Sequence, residues 1–307
     1  MSQDIGADGR MAKSANGARP RRSVAAMLRR ARDVWAAGGH SGSIVQRFFD
    51  GGYRSAASEQ TASSRQGGSI EVKNLSVAYR DRPALSNLTG QFAAGSLTAV
   101  VGPNGAGKSS LIKALAGILP PRTGEMRSTA AVGEHFAYLP QQSELDRDFP
   151  ITVGELVALG GWRSFGAFRR PPDTLTVRVA DAMAAAGLDG FGARQIADLS
   201  AGEFQRALFA RLLVQDAAVV LLDEPFTAVD ERTTDDLLQL VRRWHREGRT
   251  VIAVLHDLDQ VREHFPTTLL LARSCAGWGD TASVLTTDNL LRARKMLQER
   301  PESRELE

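Results

Sequence analysis

Residues 97–115 read LTAVVGPNGAGKSSLIKAL, an apolar run, a glycine-rich turn and the start of a helical pattern. The turn, GPNGAGKS (102–109), fits G-x-x-x-x-G-K-[ST] at each fixed position, in the strand-to-helix setting a phosphate-binding loop requires. Gly102, Gly105 and Gly107 let the backbone curl so that successive N–H groups face an anion. Pro103, Asn104, Ala106 and Ser110 complete the segment expected against the nucleotide. Lys108 is expected to reach the outer phosphates, and the Ser109 hydroxyl to ligate Mg²⁺. A helix should follow Lys108 to about Ile118, stopped by Pro120-Pro121.

Working outward, IEVKNLSVAY (70–79) reads as a strand, and 84–102 as two further strands around a turn at Ala94-Gly95. HFAYLPQ (135–141), AAVVLLDEP (217–225), TVIAVLH (250–256) and TLLLA (268–272) read as further strands. Helical spacing marks 200–214 and 231–247. Strands alternating with helices imply a parallel sheet covered on its faces. Between about 150 and 198 helical spacing dominates without a convincing strand, which marks an inserted helical subdomain.

Three strand ends carry candidate chemistry. VVLLDEP delivers Asp223 to the carboxyl edge of a parallel sheet, where ligands bind. Asp223 is expected to hold Mg²⁺, and Glu224 to polarise an attacking water. His256 ends another such strand, where a contact to the γ-phosphate or to Glu224 competes with a purely structural role. Gln141, after FAYLP, is a candidate for the Mg²⁺ and water shell. Tyr79 can stack on a base or pack in the core.

LSAGE (199–203) has Ser200 and Glu203 at the spacing of a capping box ahead of a helix. The same helix start is an anion site, since bare N–H groups converge there.

The totals fit this picture. With 307 residues and 43% hydrophobic content the chain can bury a large core. Residues 1–68 hold 11 Lys and Arg against 5 Asp and Glu, so the net +3 of the chain leaves the remainder acidic. The basic segment is expected to be a disordered extension, with a basic amphipathic helix at 21–37 as the alternative. Nucleic acid is not an expected partner. One cysteine, Cys275, excludes an internal disulfide. No apolar run approaches the ~20 residues of a membrane span, and the N-terminus lacks the order of a signal peptide.

Taken together, the phosphate loop, Gln141, LSAGE, the DE-ending strand, TAVD (227–230) and His256 resemble the ATPase subunits of ABC transporters. The resemblance covers roughly 70–290. It implies an α/β P-loop NTPase (RecA-like) core with a mainly parallel sheet. An antiparallel β subdomain near the N-terminus and a helical ABC subdomain at about 143–198 accompany it. The ATPase domain would span 69–291, with a basic extension over 1–68 and a charged tail over 292–307. ATP and Mg²⁺ are the implied cofactors, with Ser109, Gln141 and Asp223 around the metal and Glu224, His256 and Gln141 as catalytic groups. Ser200, Ala201, Gly202 and Glu203 would meet the ATP of the other subunit in a homodimer, and Asp230 would communicate across it. Membrane permease subunits are the implied partners, with an extracytoplasmic substrate-binding protein acting indirectly. The implied location is peripheral, on the cytoplasmic face of the inner membrane.

DRDFPITV (146–153) and HDL (256–258) further resemble the ATPases of zinc/manganese-type importers, with the two metals left open. Importers of siderophore or haem are the alternative, followed by a soluble ABC ATPase. The chain has neither the second ATPase unit nor the long coiled coil usual in that last group. Two positions depart from the family pattern. Ala201 stands where the signature LSGGQ has glycine, so a left-handed backbone is not expected there. Glu203 replaces glutamine and brings a carboxylate beside an anion site.

Overall fold

The computed structural model describes residues 67–79, 82–129, 136–162 and 172–298. Residues 1–66 of the expected extension, with its candidate helix at 21–37, lie outside these residues.

Two sheets organise the chain. Strands β1 (Ile70–Tyr79), β2 (Arg82–Phe92) and β4 (Thr123–Ser128) form an antiparallel sheet in the order β2-β1-β4. Strands β3 (Leu97–Val101), β5 (Phe136–Leu139), β6 (Val219–Asp223), β7 (Thr250–Val254), β8 (Thr267–Leu271) and β9 (Cys275–Asp280) form the second, in the order β5-β6-β7-β3-β8-β9. All its pairings are parallel except β8 with β9.

Strands β3, β6 and β7 are buried along their whole length. Such strands need apolar residues on both faces, which is why they read as continuous runs. Alternation divides them between two cores. Val100, Leu221, Val254 and Leu271 face helix α1 (Lys108–Leu115) and the antiparallel sheet. Val101, Leu222, Ala253 and Leu270 join the helical side. That side holds α2 (Val153–Ala158), α3 (Asp173–Ala185), α4 (Ala201–Gln215), α5 (Glu231–Arg246) and α6 (Leu258–His264). Phe209 of α4 and Trp244 of α5 stack at 5.7 Å between centroids. Helices α7 (Thr281–Val284) and α8 (Thr287–Gln298) are the last elements of the described residues.

Helix α8 runs across the boundary placed at 291–292, because Ala293 is buried against the core. At the other end Gly67 already bonds the fold, donating its N–H to the Gly248 carbonyl at 2.8 Å, two residues before the boundary at Ser69. The first helix ends at Leu115, three residues short of Ile118; Gly117 there takes a left-handed φ of 72°. Strands β4 and β9 have no counterpart in the sequence reading. TGEMRS is almost wholly exposed, and CAGWGD is split by glycines, so neither shows an apolar face.

Candidate functional site

The parallel sheet brings the carboxyl ends of β3, β5, β6 and β7 to one rim, and with them the phosphate loop, Gln141, Asp223 and His256. The loop between β3 and α1 depends on its glycines. Gly102, Gly105 and Gly107 have φ of 148°, 80° and 93°. A Cβ on Gly102 would lie 2.1 Å from the Leu271 carbonyl oxygen, and one on Gly107 2.3 Å from that of Ala84. No side chain fits at either place. Lys108 is buried, and its Nζ donates to the carbonyls of Gly102 (2.9 Å) and Pro103 (3.1 Å). Burial pulls its pKa down, while Glu224 and Asp223 oppose the shift.

Ser109 Oγ donates to Asp223 Oδ1 at 3.0 Å. The other carboxylate oxygen of Asp223, Oδ2, is fully buried without a hydrogen-bond partner in the described structure. Burial raises the Asp223 pKa to about 6, a shift that the Ser109 bond and Lys113 resist. A buried carboxylate with one open oxygen beside a serine hydroxyl is the donor set a hard divalent cation takes. Mg²⁺ therefore fits the residues expected to hold it.

Glu224 is gripped from two sides. Gln141 Nε2 donates to its Oε2 at 2.8 Å, and His256 Nε2 lies 2.7 Å from its Oε1. Its backbone takes φ = 51°, an unfavourable region for a non-glycine residue that is found where surrounding contacts hold it. The structure thus brings His256 to Glu224, one of the contacts anticipated for it. Gln141 spends its amide N–H₂ on Glu224, which leaves its Oε1 as the atom able to face a metal.

Tyr79 ends β1 with 54% of its surface exposed. Core packing, one of its two readings, is thereby excluded. Asn104 and Gly105 are exposed along the loop, and Ser110 is half-buried in α1.

Ser200 caps α4 in a reciprocal box. Its side chain accepts from Glu203 N at 3.2 Å, and Glu203 Oε2 accepts from Ser200 N at 2.7 Å. The bond from the Ser200 N–H, helped by the Ser200 hydroxyl and Arg194, holds the Glu203 pKa below its usual value. Ala201 begins the helix and is absent from the left-handed residues. A Cβ on Gly202 would sit 3.2 Å from Asp230 Oδ2, so α4 starts directly against the cap of α5. Asp230 accepts the Thr233 N–H there at 2.9 Å.

Several contributors escape sequence reading. Arg194 pairs with Glu203 at 3.3 Å and offsets its charge. Arg147, inside DRDFPITV, donates to the Leu199 carbonyl and lies 5.0 Å over the Phe204 ring. That motif therefore buttresses the segment leading to Ser200. Lys113 of α1 pairs with Glu144, three residues past Gln141. Gln205 of α4 bonds both Gln142 and Pro225. The motif spacings give no hint of these contacts: Arg194 lies in a loop nine residues before Glu203, and the other partners come from distant segments.

The chain is similar to known proteins over most of its described residues. Residues 85–227 match the family model described as "ABC transporter". The manganese transport system ATP-binding protein MntB of Listeria monocytogenes is 35% identical over 225 residues, 72% of this chain and 94% of that protein. The zinc transport system ATP-binding protein TroB of Treponema pallidum is 38% identical over 231 residues, 73% of this chain and 86% of that protein. Among solved structures, a bacterial Atm1-family ABC exporter with ATP bound superposes with a TM-score of 0.60 at 29% identity, covering 78% of this chain and 43% of the other. The ABC transporter cassette MJ0796 superposes with a TM-score of 0.61 at 23% identity, covering 69% and 98%, and so shares the fold. With the motifs in order on one rim and relatives matched over nearly their whole length, the chain belongs to the ATP-binding proteins of ABC transporters.

Proposed function

We propose that this subunit binds and hydrolyses ATP to drive import of zinc or manganese through a partner permease. The observation that carries the catalytic part is the pairing at the sheet rim. There Ser109 and Asp223 form an oxygen pocket, with Glu224 held beside it by Gln141 and His256.

The glycine loop would hold the phosphates of ATP through its N–H groups, with Lys108 leaving the loop carbonyls for the outer phosphates. Tyr79 would stack on the adenine. Ser109 and Asp223 would hold Mg²⁺, with Gln141 Oε1 facing it; the ion neutralises charge on the outer phosphates. Glu224 would take the proton of the attacking water through its carboxylate, oriented by Gln141 and His256. In a head-to-tail homodimer, Ser200 and Gly202 would reach the partner's nucleotide, and Asp230 would sit at the joint between α4 and α5. A serine hydroxyl that caps its helix can still donate its proton, so the box and the phosphate contact are compatible.

Among the described residues no helix is long and apolar enough to cross a membrane. A peripheral position at the cytoplasmic face, on permease subunits fed by a binding protein, follows from the family. The metal reading is supported by relatives named for manganese and zinc transport. Its test is to purify the complex with its permease and measure ATP hydrolysis as binding-protein-delivered zinc or manganese is added. Stimulation by neither metal would overturn the substrate assignment.

A further inference from the structure

Gln205 lies on the second turn of α4, five residues past Ser200, and is only 1% exposed. A buried primary amide is costly unless its bonds are satisfied. Here it is bonded at both ends. Its Nε2 donates to the Pro225 carbonyl at 2.7 Å, and its Oε1 accepts from Gln142 Nε2 at 2.7 Å. The orientation is forced, because a carbonyl can only accept. Gln205 must therefore present its NH₂ to Pro225 and its oxygen to Gln142.

Both partners adjoin catalytic groups. Pro225 follows Glu224, and Gln142 follows Gln141, whose Nε2 bonds Glu224 at 2.8 Å. The contacts close a ring: Glu224 to Gln141, along the chain to Gln142, across to Gln205, on to Pro225, and back through the peptide to Glu224. Three hydrogen bonds and two stretches of chain join three segments. Gln205 is the member contributed by the helix that starts at Ser200. The ring also clasps the backbone at Glu224, whose φ of 51° needs surrounding contacts to persist.

We infer that Gln205 is a positioning residue that ties the attitude of the signature helix to the placement of the Glu224 carboxylate and of Gln141. A shift of α4 on meeting a second subunit's nucleotide pulls on both bonds at once. It thereby re-aims the base and its orienting amide together. This rests on the reading of Glu224 as the base.

The test uses the full chain in complex with its permease and compares Gln142→Ala, Gln205→Met, the double variant and Glu224→Gln. Gln142 is half-buried, so Gln142→Ala breaks the ring without opening the core. The buried Gln205 oxygen loses its donor, which lowers the melting temperature by a few degrees and leaves the chain folded at the assay temperature. The expected result is a kcat lowered by about tenfold to a hundredfold in either single variant, the loss typical of a slightly misplaced group. ATP affinity stays within about twofold in both, since neither residue is part of the phosphate loop. The double variant is no slower than Gln205→Met, because both substitutions break one ring. Should Gln205→Met fail to fold, Gln142→Ala decides alone. An unchanged kcat in Gln142→Ala, additive losses in the double variant, or a loss confined to ATP affinity overturns the inference. Unimpaired turnover in Glu224→Gln removes the base assignment instead, so the two failures are distinct.

Discussion

His256 Nε2 sits 2.7 Å from Glu224 Oε1, and the imidazole is 42% exposed where the carboxylate is 13% exposed. The histidine thus stands on the open, solvent-facing side of the base. Replacing Glu224 by Gln keeps the contact with Gln141 but removes the proton acceptor. Turnover should fall at least about a hundredfold, the usual worth of a general base. ATP should still bind and should hold the dimer closed, which light scattering with ATP and Mg²⁺ would register. Undiminished hydrolysis would rule Glu224 out as the base. His256→Ala should slow hydrolysis with little change in ATP affinity.

Asp223 gives a stability prediction of definite sign. Its folded pKa is raised to about 6 by burial, from an ordinary value of 3.8. The folded chain therefore holds a proton that the unfolded chain releases between those values. Stability falls as pH rises through that window and stays lower above it. Two units correspond to about 3 kcal/mol as an upper bound. Asp223→Asn should thus melt higher than the parent at pH 7.5 in chelator, and the gap should close toward pH 4. The same variant should lose Mg²⁺-dependent hydrolysis. A parent that melts higher at neutral pH would contradict the burial argument.

Tyr79 is exposed at the end of β1, so its removal should cost binding rather than folding. Stacking is worth about 1–3 kcal/mol, and Tyr79→Ala should raise the KM for ATP by about fivefold to a hundredfold. Phe or Trp at the position should restore it, because the face of the ring does the work. An unchanged KM in Tyr79→Ala would place the adenine elsewhere.

How much of this was legible follows from where each contact lies in the chain. The buried strands announced themselves because both of their faces need apolar residues, and the phosphate loop because its chemistry occupies eight consecutive positions. The Ser200–Glu203 box was visible for the same local reason. Gln205 was not, since its partners lie 63 residues before it and 20 after it. Arg194 was missed likewise: an arginine in a loop has no periodicity to betray which carboxylate it will meet. Strands β4 and β9 run along exposed or glycine-rich sequence, where single apolar residues such as Met126 and Trp278 pack on the core without forming a periodic pattern.

Arg194 also alters what Glu203 should do. A carboxylate beside an incoming phosphate repels it, but Glu203 Oε1 lies 3.3 Å from Arg194 Nη1 and its charge is partly offset. Exposed pairs of this kind are worth about 0.2–1 kcal/mol. Glu203→Gln should therefore lower the ATP concentration needed for dimerisation only about two- to fivefold, by the same measure. Arg194→Ala should raise it, by exposing the carboxylate. Titrating ATP against dimer fraction separates the two, and an unchanged midpoint in both would mean that this carboxylate does not meet the nucleotide.

The amino-terminal boundary gives the last prediction. Thr250 is completely buried, and its hydroxyl both donates to the Gly68 carbonyl and accepts from Gly95 N–H, each at 2.9 Å. Gly67 lies so close that a Cβ there would fall 2.3 Å from the Thr250 Oγ1. A chain beginning at Ser69 loses both glycines and leaves the hydroxyl proton of Thr250 and the carbonyl of Gly248 without their partners. Gly248 is only partly buried, but an unsatisfied group as buried as the Thr250 hydroxyl costs about 1–3 kcal/mol. Such a chain should melt lower by about 5 °C, given the few degrees per kcal/mol of a domain this size. A chain beginning at Ser63 keeps Gly67 and Gly68 in place and should melt with the parent. If the segment before it is dispensable, this chain also keeps full hydrolysis with the permease. Lost coupling with unchanged melting would instead assign the basic residues at 21–37 a role against the membrane or the permease.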